Sequence, residues 1–322
     1  MRNDAVDSTR RSLPDEVSVA ALVVTHNRRH QLRACLSALG AQTRPIDEIL
    51  VYDNSSTDGS VRMVRRDFPA VTVESSPRNS GGAGGFSRGL DILIRRGHTF
   101  VWLLDDDALP CSDALAPLLH AMTSTGGTAP GFVASTVLSH AGDPIDSHVP
   151  ARITAEANQG LPTPPNTYPA AYATFVGVLV NLAVARRTYL PIADFFIWWD
   201  DYEYTARLQS IAGGLGCTAS VVLHPDKPEW LSDLGPRLRY AVRNRLWIIH
   251  GRRRGLASPH ARQRAASGLW TDVRSYARCA RRKDQFVWWL GRALAEGLLT
   301  RPRLVRPGAS RTDTPTAGGG SG

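Results

Sequence analysis

The sequence predicts an α/β fold, a mostly parallel sheet flanked by helices, and three observations carry that prediction. Continuous apolar runs alternate with stretches of helical period along residues 17–108. Unbroken apolar runs of strand length belong to strands covered on both faces. Three of these runs end in polar groups, at Thr25, Asp53 and Asp105–Asp107. Open parallel sheets bind ligands beyond the C-terminal ends of their strands. Finally, 322 residues at 43% hydrophobic content are ample for one buried core.

The elements follow in order. Residues 1–16 are polar and predict a disordered tail. "VSVAALVVTH" (17–26) is a buried strand, and "HQLRACLSALGAQ" (30–42) a helix with Leu32, Cys35, Leu36 and Leu39 on one face. "DEILVYDNSSTDGS" (47–60) is a strand ending in a polar turn. A short helix (61–68) and a strand (70–76) lead to a glycine-rich loop, then to a helix over 86–97. "TFVWLLDDDA" (99–108) is a buried strand that stops at three carboxylates. Residues 141–170 read as a long loop, 171–190 as a strand or two entering a helix, and 195–214 as a loop entering a helix. "GCTASVVLHP" (216–225) is a strand ending at His224. The expected organisation is an α/β domain over 17–235, a basic amphipathic helical region over 236–306, and a disordered tail over 307–322.

Composition narrows the function classes. The four cysteines are widely spaced, with no C-x-x-C pair. A zinc cage or disulfide framework is disfavoured and a reducing compartment is the simpler expectation. The polar start predicts no signal peptide, and no apolar run reaches the ~20 residues of a membrane span. The net charge is +9, of which residues 233–306 carry +14 and the remainder −5. A basic C-terminal region favours anionic partners: phospholipid, pyrophosphate or nucleic acid.

Several motifs carry chemistry. "NSGGAGGFSRG" (79–89) matches neither the P-loop nor the G-x-G-x-x-G register. It is either a flexible turn or a loop whose glycines admit a ligand close to the backbone. The adjacent carboxylates of "LLDDDA" repel one another unless a cation sits among them. On extended backbone, Asp105 and Asp107 point the same way and suit a hard divalent ion that binds a diphosphate. In "FFIWWDDYEY", Asp200 or Asp201 is an expected N-cap, and a carboxylate beside large aromatics is also a candidate general base. Tryptophan faces pack well against sugar rings. His224 is a plausible third metal ligand, and Arg243 and Arg245 can flank an anion.

Taken together, these residues resemble the family-2 inverting glycosyltransferases of the GT-A fold. The resemblance runs over residues 17–250 through "VVTHNR", "VYDNSSTDGS", "NSGGAGGFSRG", "WLLDDDA", "WWDDYEY", "VVLHP" and "YAVRNR". Within that family the glycine stretch, "DDD" and "WWDD" look like the actinobacterial galactofuranosyltransferases that initiate cell-wall galactan. The resemblance implies a UDP-galactofuranose donor and a polyprenyl-diphosphate-linked GlcNAc–rhamnose acceptor. It implies that Thr25, Arg28, Asp53, Asn79, Gly82, Gly84, Gly85, Arg88, Asp105 and Asp106 contact the sugar nucleotide. It places Mn²⁺ or Mg²⁺ on Asp105, Asp107 and His224, makes Asp201 the general base, and puts Trp198, Trp199, Asp200 and Arg243 on the acceptor side. His26 departs from the Tyr or Phe common at that position.

A lipid-linked acceptor implies a cytoplasmic enzyme at the inner face of the cytoplasmic membrane. Residues 268–300 mix Arg and Lys with Phe286, Trp288, Trp289 and Leu290, which suits either an interfacial helix or a packed helix with a solvated basic face. Two other readings remain: a rhamnosyltransferase using dTDP-rhamnose, and a nucleic-acid-binding protein. The second leaves the clustered carboxylates unexplained, so nucleic acid is not an expected partner. Oligomerisation is left open.

Overall fold

The computed structural model describes residues 17–127, 129–225, 233–251 and 258–309. The expected tails at 1–16 and 310–322 lie outside these residues. The chain begins β1 (Val19–Thr25), α1 (Arg29–Gly40), β2 (Glu48–Asp53), α2 (Ser60–Asp67), β3 (Thr72–Ser75), α3 (Gly81–Arg96) and β4 (Phe100–Asp105). It continues β5 (Leu109–Pro110), α4 (Leu115–Thr123), β6 (Phe132–Leu138), β7 (Thr167–Pro169), β8 (Val178–Asn181) and α5 (Leu182–Ala185). Then come α6 (Asp200–Ala212), β9 (Gly214–Leu223), α7 (Leu238–His250), α8 (Pro259–Ala266), α9 (Leu269–Cys279) and α10 (Lys283–Leu299).

The strands form one sheet in the order β3-β2-β1-β4-β8-β6-β9-β5, with β7 also pairing to β9. The half from β3 to β4 is parallel, as expected. The other half is mixed: β8 runs antiparallel to both β4 and β6, β6 and β9 are parallel, and β5 and β7 are antiparallel to β9. Apolar runs reveal burial but carry no strand direction, so this half was not readable as mixed. Alternate β1 residues enter opposite cores. Ala21 and Val23 pack with Leu32, Leu36, Met63 and Leu118 of α1, α2 and α4, whereas Leu22 and Val24 pack with Phe86, Leu90 and Leu208 of α3 and α6. The register sets Thr25 opposite Asp53, and Val24 opposite Asp105, so the strand ends meet at one edge.

The expected glycine loop is the first turn of α3. Glycine is a poor helix former, and packing is what demands it here. A Cβ on Gly85 would lie 2.3 Å from Val24 Cγ1, and one on Gly89 2.4 Å from Leu22 Cδ1. These positions let α3 lie directly on β1. Gly81 has φ +72°, and a Cβ there would meet the Phe196 carbonyl oxygen at 1.9 Å. Gly82 faces open space.

In the basic C-terminal region, α10 packs on α7 through Leu246, Leu294 and Ala293. Phe286, Trp289 and Leu290 turn towards that interface, while Val287, Trp288 and Leu299 are exposed. The chain then returns to the α/β body. Leu190 N–H donates to the Val305 carbonyl at 2.9 Å, and Gly308 N–H to Asp91 Oδ1 at 2.8 Å. The terminal tail expected from residue 307 therefore begins too early. Among the described residues, no helix is long and apolar enough to cross a membrane.

Candidate active site

The acidic triplet sits on a tight turn after β4, in which Ala108 N–H donates to the Asp105 carbonyl at 3.2 Å. Asp105 and Asp107 converge through that turn, not through the alternation of an extended strand. His224 reaches them from the end of β9, its N–H anchored to the Leu138 carbonyl at 2.9 Å. One ligand atom from each of Asp105, Asp107 and His224 lies within 4.8 Å of the others. His224 Nε2 is 3.1 Å from Asp107 Oδ1.

Asp106 turns the other way. It accepts from Thr25 Oγ1 at 2.7 Å and from the Arg28 guanidinium at 3.3 Å, and Arg28 also donates to Asp107 at 2.6 Å. Thr25 and Arg28 thus brace the acidic turn, a task not foreseen beside their expected contact with a nucleotide. Burial, then repulsion from Asp107, pushes Asp105 up to about 7. Burial pushes Asp106 up to about 6 against the pull of Arg28. Burial opposes the His224 imidazolium, but Asp107 and Asp105 outweigh it and raise its pKa. Carboxylates held this high in their titration range mark a site short of positive charge. Two carboxylate oxygens and an imidazole nitrogen within mutual reach fit a divalent cation.

The candidate base arrives on α6. Three aromatic residues ahead of it, Phe196, Trp198 and Trp199, have φ of +66°, +64° and +73°. Bulky side chains rarely adopt this region, and each such residue costs ~1–3 kcal/mol. The N-cap of α6 is Trp199, with no side-chain cap bond, so neither Asp200 nor Asp201 caps the helix; both lie in its first turn. Burial pushes Asp201 up to about 7; burial, then repulsion from Asp201, pushes Asp200 well above the ordinary carboxylate range. Asp201 in turn raises Asp105, which couples this candidate base to the acidic turn.

Other expected site residues have varied places. Asp53 is buried and accepts from Ser56 N–H at 3.2 Å. Asn79 accepts from Gly81 N–H at 2.8 Å, which ties down the start of α3. Gly84 and Gly85 serve packing against Ser80 and Val24, and Gly82 alone of the three faces open space. Arg88 is exposed on α3. Trp198 packs on the C-terminal helices, and Trp199 lies against Arg245 at 4.9 Å and Arg264 at 5.7 Å.

Arg243 is 4% exposed. It donates to the Asp194 and Phe195 carbonyls and stacks on Trp247 at 4.2 Å, so it clamps the turn before α6 and does not face an acceptor. Arg245 is likewise buried, and its donors are taken up within the protein by the Ala265 and Ser267 carbonyls and by Asp272.

Three residues escaped the sequence reading. Asn54 donates to the Gly81 carbonyl at 2.9 Å and accepts from Ser80 Oγ at 2.9 Å, joining β2 to α3. Asn244 holds the turn before α6 through the carbonyls of Phe195, Ile197 and Trp198. His148 comes from the long loop, its ring centroid 4.9 Å from that of His224 in an edge-on arrangement, and burial beside His224 lowers its pKa to about 4. Asn54 and Asn244 stood next to Asp53 and Arg243 in the motifs; His148 carried no local signal.

Solved structures share this architecture. TarS 1–349 of S. aureus superposes with a TM-score of 0.56 over 88% of this chain and 81% of its own, at 11% identity. The mannosyltransferase PcManGT of Pyrobaculum calidifontis, in complex with GDP-Man and Mn2+, gives 0.52 over 86% and 80%, at 20% identity. These likenesses show the fold, which is the GT-A fold.

The family model for glycosyl transferase family 2 matches residues 20–144. Galactofuranosyltransferase GlfT1 of Mycobacterium tuberculosis is 30% identical over 296 residues, 80% of this chain and 93% of that protein. GlfT1 of Mycolicibacterium smegmatis is 30% identical over 231 residues, 68% of this chain and 75% of that protein. The chain belongs to glycosyl transferase family 2.

Proposed function

We propose that this enzyme transfers galactofuranose, with inversion, from UDP-galactofuranose to a polyprenyl-diphosphate-linked GlcNAc–rhamnose acceptor in cell-wall galactan assembly. The observation that carries this reading is the 30% identity to a galactofuranosyltransferase over 93% of that protein's length. Asp201 is the general base. Its burial raises its affinity for a proton towards neutrality, where a base is most effective. It takes the proton of an acceptor hydroxyl, which attacks the anomeric carbon from the face opposite the leaving diphosphate. One displacement inverts the centre and needs no covalent nucleophile.

Asp105, Asp107 and His224 would hold Mn²⁺ or Mg²⁺, and the imidazole in the set favours Mn²⁺. The chemistry supplied there is charge neutralisation of the departing diphosphate. Arg28 fixes the acidic turn for that task. Asp53 and Gly82 line the donor side, and Trp198, Trp199 and Asp200 shape the acceptor side.

The enzyme acts at the inner face of the cytoplasmic membrane. Exposed Trp270, Val287, Trp288 and Leu299 beside Arg278, Arg282 and Lys283 support that location. A donor panel of UDP-galactofuranose, UDP-galactopyranose, dTDP-rhamnose and UDP-GlcNAc, with a synthetic lipid-linked disaccharide, tests the function. Transfer from UDP-galactofuranose is expected; transfer from dTDP-rhamnose alone would replace this reading.

A further inference from the structure

Arg28 and Arg29 are neighbours that face different places. Arg28 braces the acidic turn, while Arg29 lines a cavity of about 600 Å³ between α1 and α2. Arg29, His30 and Arg33 come to it from α1, and Arg62 and Arg66 from α2. Asp67 is the one carboxylate paired within the group among the described residues, and it takes Arg33 and Arg66. Asp58, close by, is occupied with Arg29 N–H and with the N–H and hydroxyl of Ser60. The guanidinium groups of Arg29 and Arg62 are left without an acidic partner among the described residues.

Those two groups nonetheless converge. A Cβ on Gly59 would lie 3.3 Å from Arg62 Nη2 and 3.7 Å from Arg29 Nη1. Two flexible cationic side chains in water separate unless something between them is negative. The N-terminal end of α2, which starts at Ser60, adds its own positive dipole at the same point. Guanidinium forks match phosphate oxygens in pairs.

We propose that this cavity is a second anion site, which takes a phosphate-bearing group without a metal ion. The group is either a soluble diphosphate or the headgroup of an anionic lipid; both present the same oxygens. The cavity shares its two loops with the cleft. Asn27 accepts from Thr57 N–H at 2.7 Å, and Arg29 N–H donates to Asp58 at 2.9 Å, so an anion on Arg29 and Arg62 tightens the loops that carry Arg28 and Asp53.

The test uses the full chain with EDTA and needs neither donor nor acceptor. Binding of inorganic diphosphate is measured by calorimetry, and binding of phosphatidylglycerol and phosphatidylcholine vesicles by co-sedimentation. The R29Q/R62Q protein is compared with the unaltered one. Arg62→Gln alone serves if the double variant folds poorly, because Arg62 is exposed on α2. A loss of at least tenfold in diphosphate affinity supports the site with a soluble occupant. A fall of at least threefold in phosphatidylglycerol binding, with phosphatidylcholine unchanged, supports it with a lipid headgroup. Equal behaviour of variant and unaltered protein towards both probes overturns the proposal.

Discussion

The side-chain amide of Asn244 lies 3.0 Å from the Trp198 carbonyl, and at the same distance from the carbonyls of Phe195 and Ile197. Asn244 is fully buried, and Arg243 donates to its Oδ1 at 2.9 Å. From the other side, Ala83 N–H of α3 donates to the Phe196 carbonyl at 3.2 Å. The strained aromatic turn is therefore gripped by α7 and α3 at once, and that grip aims the first turn of α6. Asn244→Ala leaves buried carbonyls unpaired, at ~1–3 kcal/mol for each that stays dry. Urea unfolding is expected to show a loss of about 3 kcal/mol. In transfer assays kcat is expected to fall more than donor KM rises, because Asp201 loses its aim while the acidic turn is untouched. Unchanged stability and unchanged kcat would remove this role.

Two neighbouring glycines in the first turn of α3 separate packing from ligand access. Gly85→Ala forces a methyl group against Val24 and is expected to cost about 1–3 kcal/mol of stability through overpacking. Gly82→Ala meets nothing within 4 Å and has no positive φ to lose, so its melting temperature is expected to stay or rise slightly. If Gly82 lines the donor pocket, its methyl group raises donor KM. Thermal melts and donor titrations of the two variants, side by side, check both halves.

The proposed role of Asp201 as base sets an expected pH dependence of transfer. Burial pushes its carboxyl up to about 7, and a base must be ionised to act. The rate is expected to fall as pH drops through that region, with the limb displaced to lower pH when a cation neutralises nearby Asp105. Asp201→Asn removes the proton acceptor and is expected to lower kcat by about 10²–10⁴-fold with donor binding retained. Full activity in Asp201→Asn would refute the assignment.

The parallel half of the sheet, its helices and the acidic turn were legible because each is written locally, in unbroken apolar runs and abrupt polar ends. The antiparallel strand β8 was not, since direction is set by a long connection and leaves no mark on side-chain pattern. The segment from α4 to β6 went unread. The glycines misled for a related reason: low helix propensity suggested a loop, but close approach to Leu22 and Val24 overrides propensity. Arg243 misled because charge implied a ligand, whereas the guanidinium satisfies carbonyls of a strained turn. His148 was out of reach altogether, since only the folded loop brings its ring to His224.

Without a cation the acidic cleft works against the fold, and the direction of that effect can be measured. Burial pushes Asp105, Asp106 and Asp201 up to about 7, 6 and 7, against 3.8 for an ordinary aspartate. Between pH 4 and 7 the native state therefore holds more protons than the unfolded chain. Stability contributed by these groups is complete below pH 4 and is lost as pH rises through 7. His224, whose pKa is raised by Asp107 and Asp105 against burial, acts in the same direction. His148, lowered to about 4 by burial and His224, acts oppositely between pH 4 and 6.5. The decline should thus run through pH 4 to 7, with His148 offsetting part of it up to pH 6.5. In EDTA, the melting temperature is expected to fall from pH 6 to 7.5. Added Mn²⁺ should raise it more at pH 7.5 than at pH 6, because ionised carboxylates are then available as ligands. Asp105→Asn should flatten the pH response and abolish most of the Mn²⁺ shift. A melting temperature indifferent to both pH and Mn²⁺ would show that Asp105, Asp107 and His224 do not form a cation site.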